Sequence, residues 1–455
     1  MQTDATPVDV ERYIDDHRLS ARQIVIFFVC SLVAMADGFD AQAIGYVAPA
    51  IIHDWGVNRA ALTPVFAAGL TGMALGGMLF GTLADRIGRR SVVLLCCVLF
   101  SVLTFAASLA TSMTELTVLR FLAGLGIGGA MPNAVALTAE YAPRRIRATA
   151  LMTMYSGFSL GAALGGFLSG WLIAAQGWQS VLFFGGAFPA FTSLAVLLWL
   201  PESIRFMVAK GDDNARVAAL LRTFDSRSIF TRETRFIAIE PRPMRSPVAQ
   251  LFEHRRALRT LLLWMIYFLS FLDLYLLSNW LPVMIHDAGA SVTQAVFVTS
   301  LYQVGGVLGP ILLGRLMDKL RPAAVMAVVM AVGGMVVSLI GALGIQSAAL
   351  LASMVGIAGL TVIGGVVCSH YVAADAYPTT VRSTGLGWAF GAGRVGGIVG
   401  TLYGGALFAL HIDIRDMLLA GALPLFIASA LGAVFARIGN DGTPFFRRRA
   451  APCET

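Results

Sequence analysis

Charged residues are scarce in this chain, and their scarcity excludes an ordinary water-soluble protein. Only 13% of the 455 residues are Asp, Glu, Lys or Arg, and 57% are hydrophobic, whereas soluble domains carry about 25% charged residues. Apolar runs long enough to cross a bilayer recur along the whole length. Because a helix satisfies all of its own backbone polar groups in lipid, the composition predicts an all-α membrane protein.

Cysteine and histidine are also rare, with five and six residues respectively. The cysteines show neither a metal-ligand spacing nor a disulfide framework. The sequence contains no nucleophile motif and no cluster of His, Cys and carboxylates at metal spacing. We therefore expect a protein that is not an enzyme, holds no metal and needs no cofactor.

The apolar runs predict twelve transmembrane helices in two six-helix bundles, with ends accurate to a few residues. The predicted spans are 24–51, 60–83, 91–110, 116–139, 148–174, 178–199, 260–286, 293–315, 322–344, 348–372, 384–408 and 417–437. The corresponding domains are an N-terminus 1–23, an N-terminal bundle 24–200, a linker 201–259 expected to be a solvated positive loop, a C-terminal bundle 260–437 and a tail 438–455.

Positive charge is distributed unequally along these segments. Nearly all of the 33 Lys and Arg residues fall in the termini and in the loops of one side, while the opposite side has only Arg59 and Arg415. This bias places both termini in the cytoplasm. It also explains the net charge of +7 by topology rather than by a nucleic-acid partner. The charged N-terminus does not resemble a cleavable signal.

Two carboxylates, Asp37 and Asp40, lie inside the first predicted span. At ~1.5 Å per residue, Asp37 is roughly 20 Å into a hydrocarbon layer ~30 Å thick. Their spacing places both on one helix face, and desolvation and mutual repulsion favour protonating at least one of them. A carboxyl that gains and loses a proton inside a membrane is what a proton-coupled carrier needs.

Further polar residues inside the predicted spans have two interpretations each. Arg120 either pairs with Asp37 or Asp40 or snorkels to the outer interface. Arg394, near the midplane, either binds a substrate carboxylate through two parallel bonds or pairs with Asp273. Asp273 is then either a second proton site or only that partner. His370 has either a proton-relay or a structural role.

The two halves of the chain repeat each other. The run Gly81-Thr-Leu-Ala-Asp85-Arg-Ile-Gly-Arg-Arg90 after span 2 matches the run from Gly314 to Arg321 after span 8. Acid, proline and arginine keep one spacing in Glu140–Arg147 and in Asp375–Arg382, so we expect Glu140 to pair with Arg147 and Asp375 with Arg382. Gly81 permits a close helix approach, and Asp85 can cap a helix or pair with a neighbouring arginine.

These motifs resemble those of the major facilitator superfamily. The loop from Gly81 to Arg90 is similar to its loop 2–3 signature, and Arg120-x-x-x-Gly124-x-Gly126-x-Gly128 to its fourth-helix motif; Leu200-Pro-Glu-Ser also fits. Asp37-Gly-Phe-Asp40 together with Met131-Pro-Asn133 resembles the aromatic acid:proton symporters. The resemblance implies two pseudo-symmetric six-helix bundles that alternate access to a site between them.

The implied function is proton-driven import of a small aromatic carboxylate, such as 4-hydroxybenzoate, across a bacterial inner membrane by a monomer. A symporter for a sugar or an aliphatic organic acid is the alternative within the same fold, and a transport-like sensor is a more distant one. The implied proton-coupling residues are Asp37, Asp40, Arg120 and Asp273. The implied substrate-binding residues are Arg394, Gln42, Tyr46, Asn133 and Asn279. The implied gating residues are Gly81, Asp85, Arg86, Gly88, Arg89, Glu140, Arg147, Asp318, Asp375 and Arg382.

Overall fold

The computed structural model describes most of the chain, and the described part is almost entirely helical. The described residues are 7–211, 214–225, 230, 234–237, 251–253, 256–343, 347–377 and 382–438. Within these ranges, four residues are described by their backbone only, namely Ala148, Asp318, Arg382 and Ser383.

Two compact units divide the chain, residues 1–243 and residues 244–455. The elements of the first unit are β1 (Val8–Asp9), α1 (Val10–Asp16), α2 (Ala21–Trp55), a 3-10 turn (Arg59–Leu62), α3 (Thr63–Ile87), α4 (Arg89–Ala107), α5 (Met113–Tyr141), α6 (Arg147–Gln176), α7 (Trp178–Trp199), α8 (Ile204–Ala209), α9 (Asn214–Arg222) and β2 (Phe236–Ile237). Those of the second unit are α10 (Arg256–Asp287), α11 (Val292–Lys319), α12 (Pro322–Leu343), α13 (Ala348–Ala376), α14 (Arg382–Ala409) and α15 (Ile414–Ile438).

Capping residues define the ends of the long helices. Ser20 and Gln23 form a reciprocal capping box at the start of α2, and Ser291 and Gln294 form another at the start of α11. These side chains satisfy backbone N–H groups that a helix leaves free in its first turn. Helix α2 ends at Gly56, which has the left-handed conformation (φ 60°) common at helix C-termini.

All twelve predicted spans correspond to helices, so the predicted fold class is confirmed. Eleven of the helices are long and apolar enough to cross a membrane. Helix α14 is also 28 residues long, but its glycines and Arg394 make it less apolar. Most helices extend a few residues beyond the predicted ends, because the terminal turns carry polar caps that the apolar runs do not include.

The same helix pairs pack in both units. In the first unit α2 packs on α6, α3 on α5 and α4 on α7; in the second, α10 packs on α14, α11 on α13 and α12 on α15. Each unit also has its own hydrophobic core. The internal repeat of the sequence therefore corresponds to a repeat of the helix packing in the two units.

The linker expected to be a solvated loop contains folded elements. Val217 and Leu221 of α9 are buried in the core of the first unit, and β2 pairs in parallel with β1 through Val8 and Phe236. The expectation was wrong for this part, because apolar residues four apart on a short helix form a buried face even when charged residues surround them. The linker prolines 241, 243 and 247 lie outside the described residues.

The N-terminal helix α1 packs on the same unit. Val10 and Ile14 join its core, and Glu11 forms ion pairs with Arg144 (3.4 Å) and Arg205. Helices α8 and α9 and the N-terminal helix α1 thus form a small folded layer at one end of the bundle.

Candidate functional site

A buried ion pair joins the first and fourth spans of the N-terminal unit. Asp40 Oδ1 on α2 lies 2.9 Å from Arg120 Nη1 on α5, and Thr104 of α4 donates a hydrogen bond to the same oxygen at 3.0 Å. The exposed fractions of Asp40 and Arg120 are 0% and 3%. Arg120 therefore does not snorkel, and of its two expected partners the structure selects Asp40.

Glycines allow the helices that carry this pair to approach closely. A Cβ atom on Gly124 or Gly128 of α5 would collide with the backbone of α3, and one on Gly38 of α2 would collide with the backbone of Phe158 in α6. Small residues are the usual means of close packing between membrane helices. The glycine-rich motif around Arg120 thus brings the guanidinium into the middle of the unit.

Other predicted polar residues of this unit lie near the pair in sequence and are also buried. Asp37 and Gln42 of α2 are both buried, and the Gln42 side-chain oxygen accepts no hydrogen bond from the described residues. Asn133 donates to the carbonyl of Gly129 in its own helix (2.8 Å). Gln42 thus keeps a free acceptor for a ligand.

Tyr46 has a different environment from the one predicted. Its hydroxyl donates to the carbonyl oxygen of Ala162 at 3.0 Å, and its side chain is fully buried. The bond links α2 to α6, so the structure gives Tyr46 a role in helix packing. Contact of Tyr46 with substrate stays a prediction.

Asp273 of α10 is a buried carboxylate in the C-terminal unit. Its exposed fraction is 0%, and neither carboxylate oxygen has a hydrogen-bond partner among the described residues. Tyr302 of α11 lies close enough to interact with its charge. The ion pair with Arg394, one of the two alternatives for that arginine, is therefore not formed in this structure.

Arg394 of α14 is half-buried. No ion pair or hydrogen bond of its guanidinium occurs within the described part of the chain. Farther along the same helices, Asn279 donates to Thr401 at 2.9 Å, which ties α10 to α14. An arginine in a membrane-spanning helix without a protein partner is available to an anionic ligand.

The predicted gate around Glu140 has a different partner. Glu140 forms an ion pair with Arg89 and accepts a hydrogen bond from Ser203 (2.5 Å). Arg147 instead donates to the carbonyl of Ala142 (3.3 Å). The prediction that Glu140 pairs with Arg147 was wrong, because the fold brings α4 closer to Glu140 than the start of α6.

Helix capping, one of the two roles predicted for Asp85, is performed at the start of α4 by Glu202. Glu202 accepts hydrogen bonds from the backbone N–H groups of Arg90 (3.0 Å) and Ser203 (2.9 Å), beside Gly88 with its positive φ of 97°. Asp85 and Arg86 are exposed, and no described residue pairs with Asp85. Gly81 has open space around it, so no helix approaches it closely in the described part of the chain, whereas the Glu202 carboxylate lies against Gly88.

The second copy of the gate is less completely described. Asp375 is exposed and pairs with no described residue. The side chains of Asp318 and Arg382 lie outside the described residues, so the expected Asp375–Arg382 pair stays a prediction.

Several residues of these networks were missed from the sequence. Thr104 sits in an apolar span where a single hydroxyl gives no signal. Glu202 stood in a noted motif, Leu200-Pro-Glu-Ser, but its acceptor role needed the position of α4. Ser203 follows it in the same motif.

In the described part of the chain, the eleven helices that could cross a membrane and α14 form two repeated sets with charges buried among them, which is the architecture of a polytopic membrane transporter. The chain belongs to the Major Facilitator Superfamily, whose family model matches residues 30–401 and 263–451.

Curated relatives match nearly the full length. A gallate transporter of Pseudomonas putida is 41% identical over 93% of this chain and 94% of its own. The 4-hydroxybenzoate transporter PcaK of the same organism is 37% identical over 93% of this chain and 94% of its own. These relatives confirm the resemblance to the aromatic acid transporters.

Solved structures show the same fold at low sequence identity. The inward-open xylose transporter XylE from E. coli has a TM-score of 0.69 at 17% identity, covering 94% of this chain and 98% of its own. A bacterial homologue of the human lysosomal transporter Spinster has a TM-score of 0.66 at 17% identity, covering 92% and 97%.

Proposed function

We propose that the protein imports a small aromatic carboxylate together with protons, by alternating access. The observation that carries the proposal is the Asp40–Arg120 pair, which is buried in spanning helices and held at 2.9 Å. A proton on Asp40 would remove its charge and release Arg120. A buried pair with two discrete states, paired and released, is suited to couple proton binding to a conformational change.

The substrate class is supported by the relatives and by Arg394. The relatives are named for gallate and for 4-hydroxybenzoate, both of which carry a carboxylate on an aromatic ring. Arg394 is half-buried in α14 and its planar guanidinium suits a carboxylate. Arg394 is therefore proposed to hold the substrate carboxylate, with Gln42, Asn133 and Asn279 available for hydrogen bonds to ring substituents.

Asp37 and Asp273 are proposed as further coupling residues. Burying an ionised carboxylate without a partner is costly, so Asp273 is proposed to carry a proton in this conformation. Asp37 lies one turn from Asp40 on α2, where its charge would respond to protonation of its neighbour.

The Arg89–Glu140 pair is proposed to hold the gate at one end of the N-terminal unit. Rupture of this pair would remove a polar link between the start of α4 and the end of α5. The remaining proposed gating residues are Gly81, Asp85, Arg86, Gly88, Arg147, Asp318, Asp375 and Arg382.

The location is proposed from the charge bias of the loops. Both termini are placed in the cytoplasm and the protein in a bacterial inner membrane. The proton gradient supplies the driving force without a cofactor, and the working unit is proposed to be a monomer.

Uptake of labelled 4-hydroxybenzoate into proteoliposomes tests the function. Wild-type protein should accumulate it only with an imposed inward proton gradient. Asp40→Asn should lower gradient-driven uptake by about tenfold or more, because Arg120 then has no protonatable partner. Exchange of labelled for unlabelled substrate without a gradient should persist, since it needs no net proton movement.

Asp54→Asn is the matched control, because Asp54 lies on the same helix but is exposed and accepts a hydrogen bond from Trp178. Gradient-driven uptake that survives Asp40→Asn would move the coupling to Asp37 or Asp273. No uptake by folded wild-type protein would contradict the substrate class and direct the assay to sugars and aliphatic acids.

A further inference from the structure

A polar pair lies inside an aromatic cluster of the C-terminal unit. His370 Nδ1 on α13 is 2.9 Å from the hydroxyl oxygen of Tyr267 on α10. Tyr267 is fully buried, while His370 is half-buried. The pair therefore presents the imidazole, and not the tyrosine, toward space beyond the helix packing.

Aromatic rings surround the imidazole on two further sides. The His370 ring centroid is 4.5 Å from that of Phe390 on α14 and 6.1 Å from that of Phe271 on α10. Tyr267 and Phe271 are stacked one turn apart, with an interplanar angle of 10°. Phe271 and Phe390 are themselves only half-buried, so flat apolar faces flank the imidazole at an accessible edge.

One polar atom of this cluster has no protein partner. His370 Nε2 makes no hydrogen bond to any described residue, whereas Nδ1 is engaged by Tyr267. This bond fixes the orientation of the ring, and because the Tyr267 hydroxyl can either donate or accept, Nε2 can serve a ligand as an acceptor or as a donor. Nε2 is thus a single oriented hydrogen-bonding atom between aromatic faces, which matches the hydroxyl of a phenol better than a sugar or an aliphatic chain.

Arg394 lies on α14, the helix that also carries Phe390. It follows Phe390 by four residues, which places it on the same helix face about 6 Å farther along the axis. That rise is comparable with the separation of two oxygen substituents across a benzene ring. A ring lying against Phe390 could therefore reach Arg394 with its carboxylate and His370 with its hydroxyl.

We propose that His370, oriented by Tyr267, is the residue that recognises the phenolic hydroxyl of the substrate. This inference rests on the proposed transport of aromatic carboxylates and adds the selectivity between ring-hydroxylated and unsubstituted acids. His370 contacts the hydroxyl, and Tyr267 is a positioning residue that acts through it.

Paired uptake assays with 4-hydroxybenzoate and benzoate test the subsite. His370→Phe keeps an aromatic ring and removes both nitrogens, and Tyr267→Phe removes one oxygen atom. Each should raise KM for 4-hydroxybenzoate about five- to tenfold, the effect of losing one hydrogen bond, with kcat little changed. KM for benzoate, which has no hydroxyl, should stay within about twofold.

Tyr403→Phe is the matched control, because Tyr403 is a half-buried tyrosine of α14 three turns from Phe390. It should leave both KM values unchanged. Ligand-induced thermal stabilisation in detergent repeats the comparison independently of transport. There, 4-hydroxybenzoate should stabilise the wild type more than benzoate does, and this difference should vanish in His370→Phe.

Equal losses for both acids would overturn the subsite and make the pair a packing contact. The subsite would also be overturned if the ratio of KM for 4-hydroxybenzoate to KM for benzoate stayed at its wild-type value in both variants. Failure of the wild type to take up or bind either acid would instead overturn the proposed function, and the subsite with it.

Discussion

The two fully buried carboxylates, Asp40 and Asp273, differ in what surrounds them. Asp40 has a cation and a hydroxyl donor, whereas Asp273 has no hydrogen-bond partner among the described residues. Removing one member of a buried pair leaves an uncompensated charge, while a carboxyl without a partner can remain neutral. Substitutions at the two sites should therefore have different consequences for stability.

Asp40→Asn and Arg120→Gln should each lower the unfolding free energy by about 3–5 kcal/mol, because each leaves one buried charge unpaired. The double variant should lose less than the sum, since it leaves neither charge. Denaturant unfolding in detergent micelles measures this double-mutant cycle, with Asp54→Asn as a control. Strictly additive losses would show that the two side chains do not interact energetically.

Individual buried charges could be identified from the sequence, but their partners only partly. Asp40 and Arg120 stand out because charge is costly inside an apolar span. Glu140 was assigned to the nearby Arg147 and pairs with the distant Arg89. Such a choice depends on which helices cross at that level, which a repeated spacing along the chain does not contain.

At the scale of elements, glycine determines how closely α14 packs on α10. A Cβ atom on Gly396 or Gly400 would collide with the backbone of Phe268 or Leu272 in α10, whereas one on Gly391 would meet open space. Backbone atoms do not move aside as a flexible side chain does. The same substitution on one helix therefore has opposite expected effects at two sites.

Gly396→Ala should lower the unfolding free energy by about 1–3 kcal/mol, the usual cost of overpacking. Gly391→Ala should leave it unchanged or slightly raise it, because alanine restricts the unfolded chain and favours helix. Thermal unfolding of the two variants, purified in parallel, gives the comparison. A similar loss in both would mean that α14 is sensitive to any side chain and that the close approach is not its cause.

The long helices were readable from the sequence because each contains an uninterrupted apolar run. The elements of the linker were not, because α8 and α9 are short and lie in a segment rich in charged residues. Val217 and Leu221 identify a helix face only once a partner surface, here the core of the first unit, is known. Length and hydropathy thus predict spans well and small folded segments poorly.

At the scale of the whole molecule, the two units share the same helix pairings but differ in the charged residues that they bury. The first unit encloses Asp40 with Arg120, and the second encloses Asp273 alone and leaves Arg394 without a described partner. Each unit therefore has its own fully buried carboxylate, which we propose as a protonation site. We expect two protons to accompany one monoanion, so that each cycle carries one net positive charge inward.

A net charge makes uptake sensitive to membrane potential. At 100 mV, negative inside, one charge contributes about 2.3 kcal/mol, so the accumulation ratio of 4-hydroxybenzoate should rise about 50-fold at a fixed pH gradient. Proteoliposomes with a clamped potassium diffusion potential measure this ratio.

Asp273→Asn should remove the dependence on potential while leaving uptake driven by the pH gradient, because one proton and one monoanion move no net charge. Asp416→Asn, which changes an exposed aspartate of the same unit, should behave as wild type. A wild-type accumulation ratio that ignores the potential would limit coupling to one proton. It would also assign that proton to Asp40, with its ion pair, and make Asp273 a buried neutral residue of the core.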